Sequence, residues 1–386
     1  MRKDFLPFSK PSVKEEAIAE AADSIRSGWL AMGPKTIKFE EEFAAYTGAS
    51  FALSANSATA GLHCAAMALE LGAGDEVITT PMTFAATVNA VLFTGAKPVF
   101  ADIDRNTLNI VPENIEKLVT PRTKAVIPVH FAGMPCDMDK IEAIAEKYNL
   151  AIIEDSAHAL GAAYKGRKIG ADRGMRRLSV FSFHPTKNIT TGEGGMICTQ
   201  DEDLAERIQV LRQNGMSKGA WNRYAAKGNS NYDIPFPGLK YTMLDINAAI
   251  GRSQLTQVDE FNARRTEIVN VYKRELADVR GIILPKPAPW EHTHSWHIFT
   301  PFIDTDALGF SRDEFMARMK TLNIGTALHY QALHLFTCYG AVTGMKRGDL
   351  PEAEYVSDRI VSLPLFPAMT DEDVSDVVEA VKKVCK

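Results

Sequence analysis

The segment Phe181-Ser182-Phe183-His184-Pro185-Thr186-Lys187-Asn188 ends an apolar strand in a polar turn that carries one lysine. An amine held in such surroundings loses solvation, its pKa falls, and it becomes a usable nucleophile for an aldehyde. Ser182, at the same strand end, offers a hydroxyl to a phosphate. Gly192-Glu193-Gly194-Gly195 lets the chain double back into the next strand. Upstream, Glu154-Asp155-Ser156-Ala157-His158 follows directly on Ala151-Ile152-Ile153, so a carboxylate sits at another strand end, positioned to hold a buried cation. Taken singly, Asp155 reads as the cap of the next turn and Lys187 as a surface lysine. Taken together, they point to one site.

A third element is Asn56-Ser57-Ala58-Thr59-Ala60-Gly61, between a strand and a helix. Free backbone amides and the positive end of the helix dipole converge there on an anion. Ser57 and Thr59 add hydroxyls, although ordinary N-capping by Ser57 explains the same letters without a ligand. The turn Thr80-Pro81-Met82-Thr83-Phe84 follows the next strand, and Phe84 can either stack on a planar ring or join the core. An amine for an aldehyde, an acid for a ring nitrogen and a cradle for a phosphate are together what pyridoxal phosphate requires. Its ring accepts the electrons of a substrate carbanion when an acid keeps the ring nitrogen protonated.

These residues need a scaffold that gathers strand ends. Apolar strand-like runs at 51–54, 76–80, 97–101, 125–130, 151–154, 179–183 and 195–199 alternate, up to the last pair, with helical patterns near 58–71, 84–94 and 138–148. That alternation implies crossover connections and a large, mostly parallel sheet covered on both faces, with function at the strand C-terminal ends. From about Leu255 the style changes: a long charged helix over 258–277, a Pro-rich connection at 285–289, then strand (297–302), helix and strand. Ser311 with Glu314, and Thr370 with Asp373, have the spacing of helix-starting capping boxes. The expected division is a large domain over 1–254, with an N-terminal arm, and a smaller α+β domain over 255–386.

The 386 residues are 46% hydrophobic and 24% charged, with a formal net charge of −5, which is ordinary globular composition and not that of a nucleic-acid binder. The five cysteines are scattered and form no CxxC pair, so reduced thiols are expected and a metal cage is not. No signal peptide or apolar run long enough for a membrane span is read, which points to a soluble cytoplasmic protein.

In this order, Asn56-Ser57-Ala58-Thr59, Thr80-Pro81-x-Thr83-Phe84, Glu154-Asp155-x-Ala157-His158 and Ser182-Phe183-His184-x-x-Lys187 with Gly192-Glu193-Gly194-Gly195 resemble the DegT/DnrJ/EryC1/StrS sugar aminotransferases. The likeness runs from about Phe5 to the C-terminus. Ser27-Gly28-Trp29, Gly33-Pro34-Lys35, Thr120-Pro121-Arg122-Thr123-Lys124 and Lys187-Asn188-Ile189-Thr190 look most like the branch that makes UDP-4-amino-4-deoxy-L-arabinose from the 4-keto sugar. The resemblance implies an α/β, aspartate-aminotransferase-like (fold type I) homodimer with shared active sites. It also implies pyridoxal 5'-phosphate as cofactor, L-glutamate as amino donor with 2-oxoglutarate as its product, and a nucleotide-linked keto-sugar as acceptor.

Carried over by position, Lys187 holds the cofactor and moves protons, Asp155 pairs with its ring nitrogen, and His158 contacts the ring's hydroxyl side. Ala58, Thr59 and Ser182 bind the phosphate, Phe84 stacks on the ring, and His184 and His329 face the substrate. Where the family often has Gly-Tyr-Asn-Tyr-Arg, this chain has Gly238-Leu239-Lys240-Tyr241-Thr242, so Lys240 stands in as a point charge for the Asn that reaches the partner's phosphate. The loop 171–177 looks longer than usual and basic, a candidate to alter substrate contacts. The implied reaction is amino transfer to C4 of a UDP-linked 4-keto sugar for lipid A or another cell-surface polysaccharide. Two rivals remain. One is a sugar 3-dehydratase of the same fold, whose relatives carry His at the position of Lys187. The other is a catalytically silent regulator that keeps the fold.

Overall fold

The computed structural model describes residues 2–174, 176–217 and 232–386. Two helices lead in, α1 (Glu15–Ser27) and α2 (Pro34–Thr47), followed by β1 (Phe51–Ala55), α3 (Ala58–Ala68), β2 (Glu76–Thr79), α4 (Ala85–Phe93) and β3 (Lys97–Phe100). Next come α5 (Pro112–Leu118), β4 (Thr123–Ile127), α6 (Met138–Tyr148) and β5 (Ala151–Asp155), a short ladder of β6 (Ala163–Tyr164) with β7 (Arg167–Lys168), then β8 (Arg177–Ser182) and β9 (Gly195–Thr199). Helices α7 (Glu202–Leu211), α8 (Asp245–Leu255) and α9 (Val258–Leu276) precede three two-residue strands, β10 (Ile282–Ile283), β11 (His292–Thr293) and β12 (Phe302–Ile303). The chain ends with α10 (Thr305–Leu308), α11 (Arg312–Thr321), α12 (Thr337–Thr343), α13 (Pro351–Arg359) and α14 (Asp371–Val384).

Seven strands form one sheet in the order β1-β9-β8-β5-β4-β2-β3. The pairs β2–β3, β2–β4, β4–β5 and β5–β8 are parallel, and β9 runs antiparallel to both β8 and β1. Both faces are buried, which is why the strands read as continuous apolar runs rather than alternating ones. On one face Phe39 and Phe43 of α2, Ile141 of α6 and Leu255 of α8 pack on Ile78, Val126, Ile152 and Phe181. On the other, Leu62 and Ala65 of α3, Val91 of α4 and Ile208 of α7 pack on Val77, Ile127, Ile153 and Ile197. This is the α/β architecture expected of fold type I.

A separate core joins α9, α11 and α14 through Tyr272, Phe315, Val377 and Val381, and it also takes in Leu6 from the N-terminal arm. The arm is held there by backbone bonds in both directions, Leu6 N to Asn323 O (2.9 Å) and Gly325 N to Leu6 O (2.8 Å). The N-terminal residues thus pack against the C-terminal third of the chain. Among the described residues, no helix is long and apolar enough to cross a membrane.

The expected strand over 297–302 is not one. Only Phe302 and Ile303 form a strand, while Phe299 makes a single bridge to Leu363. Pro301 lacks the amide a ladder needs there, and His297 gives its own amide to Ala132 O (2.9 Å) instead. Thr370 and Asp373 form a complete capping box. At Ser311 only the hydroxyl side of the box is made, with the Glu314 amide.

Candidate active site

The strand ends converge as anticipated. After β1 come Ser57, Ala58 and Thr59; after β2, Thr83 and Phe84; after β4, Val129; at the end of β5, Asp155, Ala157 and His158; after β8, Ser182, His184 and Lys187. All line one cavity of about 510 Å³, together with Glu193 and the C-terminal segment Leu328-His329-Tyr330. This is the carboxyl edge of the parallel strands, where α/β sheets bind ligands.

Lys187 sits in a turn fixed from both sides. Its amide bonds His184 O (2.8 Å), and Asn188 next to it gives its side-chain amide to Asn262 Oδ1 (2.7 Å) and Ser295 O (2.9 Å). Asn247 ties down the return of the loop by donating to the carbonyls of Thr191 (2.6 Å) and Glu193 (3.1 Å). Burial draws the Lys187 ammonium down to about 8, against the opposing pull of the Asp155 carboxylate. An amine so placed carries a neutral fraction of about a tenth near pH 7, far more than a solvated lysine.

Asp155 is buried and held by two donors: Thr87 Oγ1 reaches one oxygen at 2.6 Å, and the Ala157 amide the other at 3.1 Å. Thr87 in turn bonds Thr83 Oγ1 at 2.7 Å. Behind it, Glu154 points to the other side of the strand. Its carboxylate accepts from Arg177 Nε (2.7 Å), Ser179 Oγ (2.6 Å) and His130 Nε2 (2.8 Å). Burial alone would raise the Glu154 carboxyl, but Arg177 and His130 outweigh it and hold it well below the usual carboxylate range. The acid that faces the pocket and the acid that anchors the strand are therefore neighbours with opposite duties.

The start of α3 has open amides of the kind a phosphate would need. Ser57 caps α3 by accepting from Ala60 N (3.1 Å), and its carbonyl takes Gly61 N (3.0 Å). The amides of Ala58 and Thr59 are the first of the helix and have no carbonyl within it to bond. The cradle also depends on Gly195 opposite: a Cβ there would lie 2.7 Å from Ala58 N and from Ser57 C. Thus open amides, a nearby hydroxyl at Ser182, an acid at Asp155 and a desolvated amine at Lys187 fit pyridoxal phosphate group by group.

Phe84 lines the cavity with 61% of its surface exposed, its ring 6.3 Å from that of Tyr330. His158 is buried, and burial followed by the charge of Lys187 keeps it well below the usual imidazole value. His329 bonds Ser362 Oγ through Nδ1 (2.8 Å) and is lowered to about 4 by burial and Lys187. His184 lies at the exposed rim, its Nδ1 2.9 Å from Thr186 Oγ1.

Lys240 is exposed and outside the cavity, beside Asn56, whose side-chain amide is 3.5 Å from Lys240 O. The basic loop 171–177 does not reach the cavity either. Arg173 and Arg177 pair with Glu142, and Arg177 also with Glu154, at the start of β8 rather than at its Ser182 end. Met175 of that loop lies outside the described residues. Thr87 and Tyr330 were not anticipated, and Thr83 was read only as part of a motif, without a role. Thr87 lies one helical turn beyond Phe84, a spacing that could have revealed it; Tyr330 arrives from the far C-terminal segment with no local signal.

The sequence profile of the DegT/DnrJ/EryC1/StrS aminotransferase family matches residues 11–382. The chain is 50% identical over 385 residues to the uncharacterized protein MJ1066 of Methanocaldococcus jannaschii, spanning 100% of this chain and 98% of that one. It is 46% identical over 386 residues to the spore coat polysaccharide biosynthesis protein SpsC of Bacillus subtilis, with the same shares covered. Among solved structures, Spr1654 of Streptococcus pneumoniae, a candidate sugar aminotransferase in its PMP form, matches with a TM-score of 0.91. The identity to it is 33%, over 98% of this chain and 99% of that one. A cavity built to these needs and likeness along the whole chain lead to one conclusion: the chain belongs to the DegT/DnrJ/EryC1/StrS aminotransferase family and is a pyridoxal-phosphate-dependent enzyme.

Proposed function

We propose that this enzyme transfers an amino group from L-glutamate to the C4 keto group of a nucleotide-linked sugar, with a UDP-sugar as the favoured acceptor. The observation that carries the reading is the shared cavity of a half-buried lysine amine lowered to about 8, a buried carboxylate and an open helix start.

The bound cofactor supplies an aldehyde carbon that captures amines and a ring that takes up the electron pair left when a neighbouring carbon loses its proton. The chain does the rest. Lys187 would hold the cofactor through its ε-nitrogen and, once the incoming amine displaces it, would be the free base that moves a proton between the substrate carbon and the carbon of the cofactor's aldehyde. Its lowered basicity suits both directions of that transfer near neutral pH. Asp155, braced by Thr87 and the Ala157 amide, keeps a negative charge facing the ring nitrogen, a preorganised electrostatic role. The Ala58 and Thr59 amides and the Ser182 hydroxyl would hold the phosphate, and Phe84 would stack on the ring. His184 and His329 flank the space left for the sugar. Lys187 also argues against a dehydratase with His at this position, and a silent regulator needs no desolvated amine.

The enzyme acts as a homodimer in the cytoplasm, with Lys240 serving the partner's phosphate site. Support for a partner comes from Ile25, Trp29, Leu30 and Leu244, all exposed in the single chain. The division into domains at 254/255 is part of the same proposal. The product feeds a cell-surface polysaccharide. Likeness to the 4-amino-4-deoxy-L-arabinose branch favours lipid A, and the name of the spore-coat relative favours another surface polymer. The test is a panel of UDP- and dTDP-linked 4-keto sugars with L-glutamate, products read by NMR. A UDP-4-keto pentose turned over fastest supports the reading; no amination of any member overturns it.

A further inference from the structure

The Lys187 amine sits at the end of a flexible four-carbon stem, yet the proposed reading needs it to meet two different carbons in turn. Its aim therefore depends on how firmly the backbone beneath it is held. On one side the Lys187 amide is fixed within its own turn, by His184 O at 2.8 Å. The anchor on the other side comes from outside that turn.

Asn188 is buried and spends its side-chain amide on Asn262 Oδ1 (2.7 Å) and Ser295 O (2.9 Å). Asn262 donates in turn to Leu160 O at 2.9 Å. Leu160 O and Ser295 O are backbone carbonyls that only accept, so neither amide can turn over without setting oxygen against oxygen. Ser295 ties in a third segment: its amide bonds Gly133 O (3.2 Å) and its hydroxyl bonds His158 O (2.8 Å). Room for this hub is built into the backbone. Gly161 and Gly133 lie at φ 80° and 96°, and a Cβ would stand 2.3 Å from Asn262 Nδ2 at the first and 2.2 Å from Ser295 Oγ at the second. Asn262 belongs to α9, which packs Val258 and Phe261 into the sheet core and Ile268 and Tyr272 into the C-terminal core. The hub thus joins the Lys187 turn, the turn after β5 and the helix that spans both cores.

We infer that Asn188 and Asn262 are positioning residues for Lys187, which lock the backbone that aims its amine and exclude water from it. The inference rests on the proposed reading, which makes Lys187 the reacting amine. The charged and titratable groups facing that amine are Asp155 at the end of β5, His158 just beyond it, His297 and His329 from the C-terminal third, and His184 and Glu193 at the cavity rim. All of them stay in place in the variants below, so a change in the basicity of Lys187 reports its placement and solvation. Burial draws the amine down to about 8, and a loosened turn that readmits water must raise it.

The experiment is trace acetylation of the apoenzyme with acetic anhydride across pH, with Lys187 read from its own peptide by mass spectrometry. Wild type should show a midpoint near 8. Asn188→Ala should raise it by about one pH unit, part of the way back to a solvated lysine. Asn262→Ala, which leaves Asn188 its bond to Ser295 O, should raise it by less, and it carries the test where Asn188→Ala does not fold. Thr199→Val is the control. It removes another buried hydrogen bond, to Arg177 O (2.8 Å) at the far end of β8, and should lower stability without moving the midpoint. In the cofactor-loaded enzyme, exchange of the donor's α-hydrogen with solvent should slow by about ten- to a hundredfold in Asn188→Ala, since a small misplacement of a reacting group is costly. An unmoved midpoint or unslowed exchange in the folded variant overturns the inference, as does an equal shift in Thr199→Val. A wild type that exchanges no α-hydrogen ends the functional reading, while the apoenzyme titration still decides the positioning.

Discussion

Replacing Gly195 by alanine should damage the phosphate site and little else. The added Cβ would stand 2.7 Å from Ala58 N and Ser57 C and 2.8 Å from Ser57 O, all backbone atoms that no rotamer change can move aside. To reach an ordinary contact of 3.4 Å, the start of α3 must retreat by about 0.7 Å from β9. A charge-assisted hydrogen bond lengthened by that much is largely lost, and each such bond is worth about 1.5–3 kcal/mol. Loss of one amide–phosphate bond therefore weakens cofactor binding by about ten- to a hundredfold, at about 1.4 kcal/mol per factor of ten. The assay is titration of the apoenzyme with pyridoxal phosphate and, in parallel, with pyridoxal, which lacks the phosphate. The variant should lose affinity for the first and hold its affinity for the second. Equal weakening of both ligands, or none, would refute the assignment of this helix start to a phosphate.

Other expectations follow from the two neighbouring acids. Glu154→Gln breaks a buried pair with Arg177 and should cost about 3 kcal/mol in chemical unfolding at neutral pH. Because the folded-state pKa of Glu154 is depressed, that stabilisation is complete above the ordinary carboxylate value and is lost as pH falls through the folded one. The gap between wild type and variant should therefore narrow in acid; a constant gap would contradict the pairing. Thr87→Val keeps the shape but removes the 2.6 Å donor to Asp155, and should cost about 1–3 kcal/mol in the same unfolding measurement. An unchanged unfolding midpoint would mean that this bond does not brace the carboxylate.

Much of this site was legible because its parts are local. Strand ends announce themselves as apolar runs meeting polar turns, so Asp155, Ser182 and Lys187 could each be placed at the same sheet edge from the sequence. The start of α3 could be read from Ser57 and the small residues after it. What escaped depended on contacts between distant segments. Tyr330 meets His158 across a sequence separation of 172 residues, and nothing in its neighbours marks that meeting. The segment 297–302 looked like a strand by its β-branched and aromatic letters, yet it bridges two cores and is bonded piecemeal to Ala132 and Leu363. Tertiary demands there overrode local propensity. The basic loop before β8 looked available to substrate because charge is visible in sequence, whereas its carboxylate partners on α6 are not.

The most direct measurement is to load the enzyme with pyridoxal phosphate, reduce it with borohydride and map the modified peptide by mass spectrometry. The account predicts that the added mass falls on Lys187, and that Lys187→Ala neither acquires it nor turns over an amino donor. Label on another lysine, or turnover that survives in Lys187→Ala, would contradict it.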